Sequence, residues 1–215
     1  MARAIMKLPS SFYAMVDTAA GHEPVALAQI LLDAGARILQ LRLKDVSSRD
    51  FLAAARAIVA LCRHHGALMI VNDRVDIAKL SGADGVHVGQ DDLPLAEARA
   101  IMGPRAIVGV STHNVEQARA AQAAGADYIG FGAIFSGGLK NVRDAQGLDR
   151  LRAVRAALTS PDFPIVAIGG ITEATMPDVL AAGADAAAII TDVVRAHDIG
   201  AKVRALLSIV PRPTP

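Results

Sequence analysis

A short phrase recurs four times in this chain: Ala34-Gly35-Ala36-Arg37, Ser81-Gly82-Ala83-Asp84, Ala124-Gly125-Ala126-Asp127 and Ala182-Gly183-Ala184-Asp185, each followed by a strand-like apolar run. Glycine tolerates the left-handed backbone that closes a helix, and a short link behind it delivers the chain into the next strand. Each copy therefore reads as a helix ending and a strand beginning. Repeated αβ units build a parallel sheet, because parallel neighbours need a long crossover and the crossover is usually a helix.

Eight strands are predicted: Phe12–Val16, Ile38–Leu41, Leu68–Val71, Gly85–Val88, Ile107–Val110, Tyr128–Gly132, Ile165–Ile168 and Ala187–Ile190. Helical spacing of apolar residues covers Val25–Ala34, Ser48–His64, Pro94–Met102, Val115–Ala124, Leu148–Leu158, Thr172–Ala182 and Ile199–Ile209. Ser47 or Ser48, Asn114, and Thr172 with Glu173 are the predicted caps of three of these helices. Eight βα units in 215 residues favour an α/β fold of the (β/α)8 TIM-barrel type over an open doubly wound sheet. The first strand also lacks the glycine-rich turn of a dinucleotide site. The expected organisation is one barrel domain over residues 1–215, with 211–215 a frayed tail.

Hydrophobic residues make up 53% of the chain and aromatics 3%, so the core is aliphatic and no base-stacking surface is expected. A net charge of +1 gives no global field for a nucleic acid, and any anion site has to be local. The lone cysteine, Cys62, sits in an Ala-rich helical pattern and reads as a small core residue. No apolar run approaches the roughly 20 residues needed to span a bilayer, and the opening residues lack a signal core. The expectation is a soluble cytoplasmic protein with no membrane partner, able to self-associate if an apolar helix face is exposed.

Parallel strands buried on both faces read as continuous Val/Ile/Leu runs, so polar groups at their carboxyl ends mark a site on one rim. Leu68–Val71 stops at Asn72-Asp73, and Gly85–Val88 stops at Gly89-Gln90-Asp91-Asp92. Asp73 and Asp92 emerge at neighbouring points of the rim and can reach one cation. Hard carboxylate oxygens suit magnesium, and no Cys/His cluster has zinc spacing. Either aspartate alone could instead cap a helix or pair with an arginine.

Gln40, Arg42 and Lys44 alternate along strand two and its exit and share one face. Inward cations are costly unless they meet an anion, so a diphosphate beside the metal would satisfy both groups, and internal bridging to Asp73 or Asp92 is the alternative. Asn72, Ser111 and Lys140, after strands three, five and six, can contact the same anion. Gly169-Gly170 after strand seven, with Ile190-Thr191 after strand eight, suggest a second phosphate site between those exits. His87 reads either as a proton shuttle or as a hydrogen-bonded packing residue inside the barrel, and His113 as a shuttle or a helix-capping neighbour. His64-His65 belong to a solvated helix end.

These pieces together resemble the thiamine phosphate synthase family: Gln40-Leu41-Arg42-Leu43-Lys44, Val71-Asn72-Asp73-Arg74, Gly85-Val86-His87-Val88-Gly89-Gln90-Asp91-Asp92, Gly109-Val110-Ser111-Thr112-His113, Asp127-Tyr128-Ile129-Gly130 and Ala167-Ile168-Gly169-Gly170-Ile171. The resemblance spans nearly the whole chain. It implies a transferase that joins hydroxymethylpyrimidine diphosphate to thiazole phosphate, releasing pyrophosphate. It further implies Mg2+ on Asp73 and Asp92, and Arg42, Lys44, Ser111 and Lys140 as the catalytic set. Substrate contacts would come from these four with Gln40, Leu41, Leu43, Asn72 and Ser136, and the thiazole phosphate would lie against Gly170, Ile190 and Thr191.

One segment departs from the family, which carries Pro-Thr-x-Thr-Lys after strand six where this chain reads Phe135-Ser136-Gly137-Gly138-Leu139-Lys140. The lysine is kept and both threonines are replaced. Two rival readings are a thiazole tautomerase-like relative, using His113 and no magnesium, and a non-catalytic barrel that binds phosphate ligands. The altered segment predicts that thiazole phosphate binds more weakly than pyrimidine diphosphate. Separate calorimetric titrations check this, and equal or reversed affinities contradict it.

Overall fold

Each apolar run is a parallel strand, and the eight close on one another in chain order. The computed structural model describes residues 5–17, 21–136 and 145–209. The strands are β1 (Phe12–Asp17), β2 (Ile38–Arg42), β3 (Leu68–Asn72), β4 (Gly85–Val88), β5 (Ile107–Thr112), β6 (Tyr128–Gly132), β7 (Ile165–Ile168) and β8 (Ala186–Ile189). β1 closes the barrel against β8, with Phe12 opposite Ala187. The helices are α1 (Pro24–Asp33), α2 (Ser48–His65), α3 (Val75–Ser81), α4 (Leu95–Met102), α5 (Val115–Ala123), α6 (Gly147–Ala157), α7 (Met176–Ala181), α8 (Thr191–Val194) and α9 (Ile199–Leu207). This is the (β/α)8 barrel expected from the strand count. Among the described residues, no helix is long and apolar enough to cross a membrane.

The departures are local. α3 and α8 were not expected, because seven and four residues are too short for a 3.6-residue period to register. α7 begins at Met176 rather than Thr172, since Thr172 and Thr175 form a turn in which the Thr172 N–H donates to Thr175 Oγ1 at 3.0 Å. Ile190 leaves β8 with helical dihedrals and opens α8. Ser47 and Asn114 cap α2 and α5 as expected, accepting from the N–H groups of Asp50 and Gln117. Residues 211–215 lie outside the described residues.

The recurring phrase has a second role beyond turning the chain. Its glycines 35, 82, 125 and 183 all have positive φ. In three copies the aspartate then holds an N–H at the start of the preceding strand: Asp84 accepts from Met69 at 2.8 Å, Asp127 from Val108 at 2.7 Å and Asp185 from Ile165 at 2.8 Å. Arg99 braces Asp127 at 2.6 Å, and Arg155 braces Asp185. The first copy ends in Arg37 instead, whose carbonyl accepts from the Leu68 N–H at 2.9 Å.

Strand alternation sorts side chains into two cores. Phe12, Ala14, Val16, Leu39 and Leu41 face the helices, whereas Tyr13, Met15, Ile38, Ile70, Tyr128, Val166, Ala186 and Ala188 fill the barrel. The inner filling is partly polar. Gln40 Nε2 lies 3.0 Å from Tyr13 Oη, which lies 2.8 Å from Tyr128 Oη. Tyr128 Oη is in turn 3.0 Å from His87 Nδ1, and His87 Nε2 is 2.9 Å from Ser111 Oγ. Burial pushes the His87 imidazolium down to about 4, against a smaller opposing pull from Asp92, and raises both phenols. Burial thus favours the neutral imidazole of His87, which has a hydrogen-bond partner at each ring nitrogen.

Glycine makes room for this chain. A Cβ on Gly109 would meet the Tyr128 ring at 2.2 Å and His87 Nδ1 at 2.6 Å. Gly109→Ala is therefore expected to destabilise the barrel by about 1–3 kcal/mol through overpacking, read from urea unfolding. His87 adds a pH dependence. The unfolded chain binds a proton near 6.5 and the folded protein only near 4, so stability present above pH 6.5 is lost as pH falls through that window. The full loss attributable to His87 is roughly 3 kcal/mol. Unfolding curves of wild type and His87→Gln between pH 7 and 4 should converge in slope if His87 is not the source.

Candidate active site

The carboxyl ends of the strands surround a cavity of about 690 Å³ whose floor is the Tyr13–Tyr128–His87 chain with Met15, Val166 and Ala188. A second cavity, about 530 Å³, opens at the opposite end around Met6–Ser11. There Arg37 is committed to the His65 carbonyl at 2.6 Å, and Asp185 to Ile165 and Arg155. The reactive groups gather at the carboxyl end.

Gln40, Arg42 and Lys44 all line the cavity, as their alternation predicts. Leu41 and Leu43, expected among the substrate contacts, do not. The same alternation turns their side chains outward into the layer beneath the helices. Asn72, Asp73, Asp92, Ser111, Gly170, Ile190 and Thr191 line the cavity too. Ser136 is exposed and stands outside the lining, next to Phe135, which belongs to it. Lys140 lies outside the described residues.

The two cations are held differently. Arg42 Nη1 is 2.7 Å from Asp17 Oδ2, and Asp17 is only 2% exposed. Lys44 Nζ is 2.5 Å from Asp73 Oδ2, with the lysine side chain 50% exposed. Internal bridging is thus realised for Lys44, while Arg42 uses Asp17, a residue missed because the first strand was expected to end at Val16. Tyr13 was missed as well. An apolar run gives no sign of which tyrosine will face a neighbour across the barrel.

Asp73 adopts a left-handed φ of 62°, and its N–H donates to the His87 carbonyl at 2.8 Å. Asp92 Oδ2 accepts from the Gly89 N–H at 2.7 Å, in a turn so tight that a Cβ on Gly89 would lie 2.8 Å from that oxygen. Burial, then the adjacent Asp73 carboxyl, raises Asp92 above the ordinary carboxylate range, with the Gly89 N–H and Lys44 opposing. Two like charges brought together beside a cavity are what a divalent cation relieves. Among the described residues, no group of three or more His, Cys, Asp or Glu side chains could hold a metal. An ion at this pair would have to complete its shell with water and phosphate oxygens, a mode magnesium favours.

Across the cavity, Gly169 and Gly170 have φ of +99° and +64°, and a Cβ on Gly169 would meet Ala133 Cβ at 2.4 Å. This turn is braced from behind. Asp192 accepts from the Glu173 N–H at 2.9 Å, and Lys202 bridges Glu173 at 2.7 Å and Asp192 at 3.4 Å. The brace ties the β7 exit to α8 and α9, so Gly170 and Thr191 face one space together. Gln90 donates to the Ser111 carbonyl at 2.6 Å, and His113 Nδ1 donates to the Gly132 carbonyl at 2.8 Å. Cys62 is buried in α2, away from the cavity, with its thiol pushed up to about 12 by burial and by Asp84.

A family model for thiamine monophosphate synthase matches residues 12–193. The thiamine-phosphate synthase of Moorella thermoacetica is 44% identical over 193 residues, covering 89% of this chain and 90% of that protein. The thiamine-phosphate synthase of Chlorobium luteolum is 41% identical over 207 residues, covering 95% and 96%. The solved thiamine phosphate pyrophosphorylase of Pyrococcus furiosus has a TM-score of 0.83 at 32% identity, covering 91% and 93% of the two chains. The match runs from β1 into α8 and takes in both walls of the cavity: the chain belongs to the thiamine monophosphate synthase family.

Proposed function

We propose that this cavity condenses 4-amino-5-hydroxymethyl-2-methylpyrimidine diphosphate with 4-methyl-5-(2-phosphoethyl)thiazole, or its carboxylated form, giving thiamine phosphate and pyrophosphate. The observation that carries the reading is the two-sided wall: acids and bases from β2 to β4 face a glycine turn across an apolar and aromatic floor. The first wall suits a diphosphate, the second a monophosphate, and the floor two flat rings.

The pyrimidine methylene–oxygen bond breaks, the ring amino group releases electrons into the cation, and the thiazole nitrogen captures it. No side-chain nucleophile is required. Arg42, held by Asp17, offers a fixed cation to the departing diphosphate, and Ser111 offers a hydroxyl. Lys44 is in an exposed pair with Asp73 worth about 1 kcal/mol or less, so it can leave that partner for a phosphate oxygen at little cost. Lys140 is proposed as a further cation on sequence grounds. These groups act by stabilising charge where it develops, and the enclosed floor aligns the rings and limits water.

Asp73 and Asp92 are the residues that would hold magnesium. What the ion supplies when bound there is charge neutralisation of the diphosphate oxygens. A proton-transfer reaction on a thiazole monophosphate has no use for this acid and base wall, which weighs against the tautomerase reading despite the presence of His113 in the cavity lining.

Asp73→Ala and Asp92→Ala should each abolish magnesium-dependent release of pyrophosphate and formation of thiamine phosphate, with the fold retained by circular dichroism. Both products are followed with and without magnesium. Normal turnover in the folded double variant would remove the metal assignment.

A further inference from the structure

The floor of the cavity contains more hydrogen-bonding order than packing requires. Gln40, Tyr13, Tyr128, His87 and Ser111 form one unbroken line from β2 to β5, with successive heavy-atom distances of 3.0, 2.8, 3.0 and 2.9 Å. The two phenols and the histidine are buried, and both end residues line the cavity. A phenol or a neutral imidazole has one hydrogen to give, so an inner member that spends it on one neighbour must accept from the other. Two arrangements spend every inner hydrogen within the line. In one, Gln40 donates through its amide nitrogen, every hydrogen points toward His87 Nδ1, and His87 Nε2–H donates to Ser111. In the other, every donor becomes an acceptor and the Gln40 amide is reversed.

We propose that this line transmits hydrogen-bond polarity between the two ends of the pyrimidine substrate, so that an anion at Ser111 makes Gln40 select a ring amino group over a ring oxo group. Phosphate oxygens that carry no proton can only accept, so an anion takes the Ser111 hydroxyl hydrogen. Ser111 Oγ then accepts from His87 Nε2–H, and His87 Nδ1 accepts from Tyr128. Tyr128 accepts from Tyr13, and Tyr13 accepts from the Gln40 amide nitrogen. The Gln40 carbonyl is left for the ligand. At the Gln40 end the structure has the orientation this arrangement requires, with Nε2 facing Tyr13. A carbonyl is satisfied by an amino group and opposed by an oxo group, and a mismatch in so enclosed a place leaves polar atoms unpaired. Tyr13, Tyr128 and His87 are thus positioning residues that act through the two at the ends.

The inference rests on the proposed reaction, and binding tests separate the two. Calorimetry measures the affinity of 4-amino-5-hydroxymethyl-2-methylpyrimidine and of its 4-oxo counterpart, each with and without inorganic pyrophosphate and magnesium. Pyrophosphate should tighten the amino compound about tenfold more than the oxo compound, within the usual range of coupling between sites. In Tyr128→Phe, and independently in Tyr13→Phe, that difference should collapse toward one, with folding checked by circular dichroism. A structural role alone would alter both ring forms alike. An equal effect of pyrophosphate on the two rings in the wild-type protein, or a difference that survives in both Phe variants, overturns the relay. Pyrophosphate that fails to bind overturns both the relay and the diphosphate site of the proposed reaction.

Discussion

A closed barrel of parallel strands leaves half of its side chains nowhere to go but inward, and the space they enter has to be filled by the strands themselves. The lower interior of this protein meets that demand with Ile38, Ile70 and Ala186. The upper interior meets it with tyrosines, a histidine and a glutamine. Polar groups in such a place are costly unless each finds a partner. Here every buried side-chain nitrogen and oxygen among the described residues has one. The need to satisfy the interior and the need to offer a ligand a shaped floor are answered by the same five residues.

The rim obeys a different balance. The Arg42–Asp17 pair is mostly out of solvent, so neither partner can be removed cheaply, and the guanidinium stays aimed at the cavity. The Lys44–Asp73 pair is partly solvated and easily exchanged. One pair therefore gives a fixed charge and the other a movable one. Asp92 sits between these regimes, raised by burial and by Asp73 while tied to the Gly89 N–H.

Far from the cavity, the repeated phrase keeps the rim in register. Asp84, Asp127 and Asp185 pin the starts of β3, β5 and β7 at the opposite end of the barrel. The strands are short, so an anchor at one end constrains where Asn72, Ser111 and Ile168 emerge at the other. Asp192 and Lys202 do the equivalent work beside the glycine turn.

Much of this was legible in one dimension. Continuous apolar runs separated by helical periods and glycine stops determined eight strands and a barrel, because backbone sterics and side-chain period are local properties. Strand ends then located Asp73, Asp92, Arg42 and Lys44 on a single rim. What the sequence left open depends on contacts between distant elements. Tyr13 and Tyr128 are 115 positions apart, and only barrel closure brings their hydroxyls to 2.8 Å. Asp17 meets Arg42 only because β1 pairs with β2 in the register that sets those two residues side by side. Leu41 and Leu43 share a motif with Arg42 yet face the helices, since a strand sends neighbours to opposite sides. Sequence alone determined which chemistry this chain carries at its strand ends. Tertiary structure decided which groups neutralise one another and which remain for a ligand, because electrostatic pairing and hydrogen-bond polarity depend on distance in space rather than along the chain.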